Sequence, residues 1–197
     1  MASATVATDP PKAPVRPGTG VTVTGHLVIL LCIGFAVVNV YFEMTDHFAD
    51  GPHAEHVRAI AVMNWLVAGL KVVGAAVALL SIVNRPRILP PALLGVFLWG
   101  AFAMLGVYAL GSVAQAVAIA SGLTGSREQI DLAGIGYVLF FLLFAAGYGV
   151  LAISYSRRFR LRKGVAVLGA LGAPLMLGVV LLAVPMLLAA LGLLPAA

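Results

Sequence analysis

Apolar residues in this chain come in long unbroken runs, and the polar residues gather in the gaps between them. The runs cover about 23–45, 59–83, 91–121, 132–155 and 165–194. Each supplies the roughly 20 helical residues that a bilayer core requires. None shows the period-two alternation in many short segments that a membrane barrel needs. The pattern predicts an all-α integral membrane protein, a bundle of five transmembrane helices forming one membrane domain over residues 23–197. Pro174 and Pro185 interrupt the last run, and each removes a helical hydrogen bond. Four spans plus a re-entrant last segment are therefore the alternative.

The punctuation between runs agrees with this division. Residues 1–22 are rich in Pro, Thr and Ala and cannot bury enough surface to offset chain entropy, so they read as a disordered tail. The first run is longer than a secretory signal core, and no small-x-small cleavage site ends it. Thr22 or Thr24 could cap the first helix. Gly51-Pro52 marks a turn in the first loop. Pro86 breaks the second run, and Pro90-Pro91 places a proline in the first turn of the third, where it is tolerated. Small residues recur four apart at Gly74/Ala78, Ala114/Ala118, Ala145/Gly149 and Gly169/Ala173, a spacing that lets helices approach closely.

Composition places the chain in the same class: 62% of residues are hydrophobic, 10% are charged, and the mean hydropathy is +1.09. Soluble domains carry about 25% charged residues. The net charge of +5 and pI near 9.8 come with no nucleic-acid recognition motif, so no nucleic-acid partner is expected. The charge follows topology instead. Lys12, Arg16, Arg85, Arg87, Arg157, Arg158, Arg160, Arg162 and Lys163 fall on one side of a five-span chain. Arg58 and Arg127 fall on the other, and Lys71 lies within a span. Positive loops stay cytoplasmic. This predicts a multi-pass protein of the cell membrane, N-terminus and 1–22 tail cytoplasmic, C-terminus outside. Loops 84–90 and 156–164 would be cytoplasmic, and loops 46–58 and 122–131 outside. The run 157–163 reads mainly as a topology determinant, although basic residues there also attract anionic headgroups.

The candidate chemistry is concentrated between Asn39 and Lys71. Asn39 and Glu43 share a face of segment one, and Asn64 and Lys71 share a face of segment two. Tyr108, Ser112 and Gln115 share a face of segment three, with Tyr137 at similar depth on segment four. The predicted topology puts all of them in the outer half of the membrane, or near its middle for Lys71. Together they suggest a polar pocket between segments one to four, opening outward.

Lys71 is the most demanding of these residues. A lysine at the centre of a span costs about 2.5–3.5 kcal/mol on insertion scales. Glu43 or Asn39 on the antiparallel neighbour could offset that, or the ammonium could snorkel to a headgroup. The functional alternative is a ligand-contacting or proton-carrying lysine.

His47, His53 and His56, with Asp46, form an imidazole–carboxylate cluster of the kind that suits zinc or copper. The spacing matches no strong metal motif, and a solvated acidic loop is the simpler reading, so no cofactor is assigned. The single cysteine, Cys32, lies in an apolar run and permits no intramolecular disulfide; it reads as a packing residue. His26 is alone at the other end of segment one, which leaves no intramembrane histidine pair for haem.

No Ser-His-Asp, Walker, Rossmann, zincin or thiol motif is present, which disfavours an enzyme. The sequence points first to a non-catalytic membrane protein, either an accessory subunit or a binder of a small apolar or lipid-like ligand. The alternatives are a small proton-coupled transporter built on Lys71 and Glu43, and a metal-dependent membrane enzyme at the outer histidines. Membrane lipids are the expected partners, with other membrane subunits or a second copy of the chain as further candidates.

Overall fold

Five α-helices and no strand make up the described residues of the computed structural model, which are 16–45, 57–83, 89–125 and 132–190. They are α1 (Thr19–Met44), α2 (Val57–Ile82), α3 (Pro91–Ala120), α4 (Leu132–Arg158) and α5 (Lys163–Ala190). Among the described residues four helices are long and apolar enough to cross a membrane: Thr19–Met44, Ile60–Ile82, Pro91–Ala120 and Gly134–Arg158. The described apolar stretch of α5, Lys163–Val179, is shorter.

The helix ends depart from the hydropathy boundaries for local reasons. α1 begins at Thr19 rather than near residue 23, and Gly18, in extended conformation, is its N-cap. Thr22 and Thr24 do not cap. Their hydroxyls donate back to the carbonyls of Gly18 and Gly20 at 3.2 and 2.9 Å, so this polar turn satisfies its own backbone and stays helical. α3 opens with Pro91 in its first turn, as expected.

α4 continues past the apolar run through Arg158, with Arg157 and Arg158 in its last turn, where cations complement the helix dipole. It ends in a left-handed turn. Arg160 has φ 48°, and the Leu161 and Arg160 amides bond back to the carbonyls of Ser156 and Arg157. Gly122, at φ 76°, closes α3 with the same pattern of bonds.

α1, α2, α3 and α4 form the bundle. α1 packs on α2 and α4, α4 packs on α3, and among the described residues α5 packs on α3 alone. Side-chain contacts give the directions. Gly25 meets Ile82, and Gly147 meets Val28. Trp99 reaches Ser156, and Tyr108 reaches Tyr137. Each of these pairs of helices is therefore antiparallel, whereas α5 runs parallel to α3, with Gly95 against Val165 and Gly100 against Ala173. The starts of α1, α3 and α5 and the ends of α2 and α4 thus share one end of the bundle, the end that carries Arg157 and Arg158.

The small-residue pairs divide accordingly. A Cβ at Gly169 would sit 2.6 Å from the Val96 carbonyl oxygen and 2.7 Å from the Trp99 Cβ. One at Gly149 would sit 3.1 Å from the Phe102 ring, and one at Gly74 2.5 Å from the Tyr148 hydroxyl. These three glycines let helices approach closely. Ala114 is exposed and makes no such crossing.

The buried core includes Val28, Cys32, Ala78, Ile82, Leu98, Phe144, Tyr148 and Leu151. It fills the half of the bundle nearer the arginine-bearing end. The outward faces are apolar and exposed, as at Leu30, Leu70, Leu110 and Leu143, which is the surface a lipid phase accepts.

Candidate functional site

The half of the bundle away from the arginines contains a polar clamp and a tyrosine pair, and a lysine caged by aromatic rings lies at mid-height.

The clamp joins α1 to α2. Asn64 Nδ2 donates to the Asn39 backbone carbonyl at 2.7 Å and to Glu43 Oε2 at 3.1 Å. The Asn39 amide turns back to the Phe35 carbonyl at 2.6 Å. Spacing alone placed Asn39 and Glu43 on one face, and the structure adds Asn64 from the antiparallel neighbour. All three are half-buried. In a low-dielectric surrounding such bonds fasten helices.

Lys71 lies midway along α2 and does not pair with Glu43; the two form no ion pair. Its Nζ sits over three rings: Phe144 at 4.3 Å from the centroid, Phe35 at 4.8 Å and Phe141 at 5.3 Å. Glu43 is occupied by Asn64 instead. Each ring within about 6 Å of a cation contributes roughly 0.5–2 kcal/mol. Three of them are comparable to the insertion cost of about 2.5–3.5 kcal/mol, so the cage can hold the charge without a carboxylate.

The cage is built by the register of α4. Tyr137, Phe141, Phe144 and Tyr148 recur at helical spacing and line up along one side. Phe35 from α1 stacks on Phe140 at 6.0 Å and meets Phe141 edge-on at 6.1 Å. Phe141 also lies 4.6 Å from Tyr108 and 4.7 Å from Tyr137. It therefore links the Lys71 cage to the tyrosines. These phenylalanines were not among the residues expected at the site. Their signal, an aromatic repeat on segment four opposite a lone intramembrane lysine, was present in the sequence.

Tyr108 donates to the Tyr137 hydroxyl at 3.3 Å, joining α3 to α4. Ser112 donates to the Tyr108 carbonyl on its own helix at 3.0 Å. Gln115 is exposed on α3 and joins neither group among the described residues. The structure thus brings Asn39, Glu43 and Asn64 together, brings Tyr108 and Tyr137 together, and sets Lys71 apart from both on the rings of Phe35, Phe141 and Phe144. The metal candidates His47, His53, His56 and Asp46 lie outside the described residues.

Further polar contacts occupy the arginine-bearing end. Trp99 Nε1 donates to Ser156 Oγ at 3.0 Å, so this tryptophan packs and bonds at once. Arg158 donates from Nη2 to the Ser81 carbonyl at 2.5 Å. Cys32 lies 3.4 Å from the Tyr148 hydroxyl in the core. His26, exposed on α1, donates from Nδ1 to the Thr22 carbonyl at 2.8 Å.

No protein family, curated protein or solved structure matches the chain significantly.

Proposed function

We propose that this chain is a non-catalytic multi-pass membrane protein that binds a small lipid-like ligand with an anionic head beside Lys71. The helical class and the four membrane-length apolar helices support the membrane part of this reading. One observation supports the rest. Lys71 carries a charge midway along α2, held by three rings and neutralised by no carboxylate among the described residues. A half-buried cation in an apolar, aromatic surrounding attracts an anion far more strongly than one in water. The rings that hold it also offer a surface to an apolar tail. A transporter based on a Lys71–Glu43 pair has less support, because Lys71 lies on the rings and Glu43 meets Asn64 rather than the lysine.

In this reading the chain spans the cell membrane five times, with the arginine-bearing end cytoplasmic and the Asn39–Glu43–Asn64 clamp near the outer face. The asymmetry of Lys and Arg supports that orientation.

The test is a titration of the purified protein with parinaric acid, a fluorescent fatty acid. Saturable binding should weaken at least about tenfold in Lys71→Met, since a charge-assisted contact contributes about 1.5–3 kcal/mol. Glu43→Gln should bind like the parent. A folded Lys71→Met variant that binds with unchanged affinity would remove the proposal.

A further inference from the structure

A second feature lies at the opposite end of the bundle and is independent of Lys71. Val21 of α1 and Val150, Ile153, Ser154, Arg157 and Arg158 of α4 line an open groove of about 380 Å³. That volume is within the range of roughly 300–1,000 Å³ typical of small-molecule sites. Its chemistry is divided along its length. Val150 and Ile153 present exposed apolar surface, and one helical turn further on Arg157 and Arg158 bring two positive charges to the rim. No carboxylate lines it among the described residues.

Arg158 is held in position rather than free to swing. Its Nη2 is fixed on the Ser81 carbonyl, and its guanidinium lies over the Tyr155 and Phe159 rings at 5.6 and 5.7 Å. Its Nε has no hydrogen-bond partner among the described residues. The guanidinium carries five N–H donors in a planar fork that matches phosphate oxygens, so the bond to Ser81 leaves most of that capacity unused. Arg157 is exposed beside it.

We infer that this groove is a binding site for one anionic phospholipid, with its phosphate on Arg157 and Arg158 and the upper part of an acyl chain along Ile153, Val150 and Val21. The order of apolar wall and then arginines along α4 matches the order of chain and then phosphate in a lipid leaflet. Arg158, fixed on the Ser81 carbonyl and over two rings with Arg157 beside it, separates this site from the diffuse attraction that any basic loop exerts.

Native mass spectrometry of the full chain tests it, after exchange into mixed phosphatidylglycerol and phosphatidylcholine and stepwise delipidation. One phosphatidylglycerol should remain bound after phosphatidylcholine has been stripped. Arg157→Gln should lower its retention at least fivefold. Ile153→Trp should do the same by filling the groove while leaving both arginines. Arg162→Gln removes the same charge outside the groove and should leave retention unchanged. Equal retention of phosphatidylcholine would overturn the inference. So would a loss in Arg162→Gln as large as in Arg157→Gln, which would indicate diffuse attraction. An unaffected Ile153→Trp variant would overturn it too. Should one groove variant fail to fold, the other still decides the outcome.

Discussion

The ammonium of Lys71 lies 4.3 Å from the centre of the Phe144 ring, and Phe144 is itself 1% exposed. A charge on α2 is thereby tied to the buried spine of α4. The size of this coupling can be measured. Phe144→Leu should destabilise the protein by about 1–3 kcal/mol through lost volume and lost ring contact. In a Lys71→Met background the same change should cost about 1 kcal/mol less. A double-mutant cycle from reversible unfolding in mixed micelles reads this difference. Additive effects would show that the lysine and ring do not interact.

The clamp makes a different prediction, because one of its bonds goes to backbone and the other to a side chain. Glu43→Gln keeps an acceptor for Asn64 and should shift stability by less than about 0.5 kcal/mol. Asn64→Leu removes both bonds to α1 and should cost about 0.6–1.7 kcal/mol, the range for interhelical bonds in membranes. The same unfolding assay checks both. A larger effect for Glu43→Gln would mean that the carboxylate charge matters beyond this bond.

Close helix approach can be tested at two glycines of α5. Gly169→Ala would place a methyl 2.6 Å from the Val96 carbonyl and 2.7 Å from the Trp99 Cβ. A backbone atom cannot yield, so α5 must move off α3, at about 1–3 kcal/mol. Gly172→Ala meets nothing closer than 3.9 Å and should be neutral or slightly stabilising. Thermal transition temperatures of the two variants should differ clearly in that order.

Gly74 offers a rescue experiment. Its added methyl would meet the Tyr148 hydroxyl at 2.5 Å and the Cys32 sulfur at 3.3 Å. Gly74→Ala should therefore destabilise the protein, and Tyr148→Phe, which deletes the obstructing oxygen, should recover part of the loss. Failure of the double variant to recover would place the strain on the sulfur instead.

Arg160 occupies the left-handed turn that ends α4, a conformation that glycine adopts without the Cβ clash. Arg160→Gly should stabilise the protein by about 0.5–1 kcal/mol, visible as a raised transition temperature. A lowered temperature would show that the arginine side chain contributes more than its backbone costs.

Much of this architecture was determined by the sequence alone. Runs of more than 20 apolar residues allow little besides helices in a lipid phase, because every backbone polar group must be satisfied within the segment. Spacing of four also placed Asn39 and Glu43 on one helix face. Helix ends were less legible. Thr22 and Arg158 are polar, yet local hydrogen bonds and the helix dipole carry the helices through them.

Only the tertiary structure decided which polar residue meets which. The Asn39 carbonyl and the Glu43 carboxylate both face α2, and either Asn64 or Lys71 could in principle answer them. The register of α2 against α1 delivers Asn64 to both, leaving Lys71 at the level of Phe35 and the α4 rings. The same holds for Arg158 on Ser81 and Trp99 on Ser156, which are 77 and 57 residues apart in the chain. Hydropathy specifies that a helix lies in the membrane, but it is blind to axial offset and rotation. Those are set by side-chain packing between helices, here by where glycines such as Gly74, Gly149 and Gly169 allow close approach.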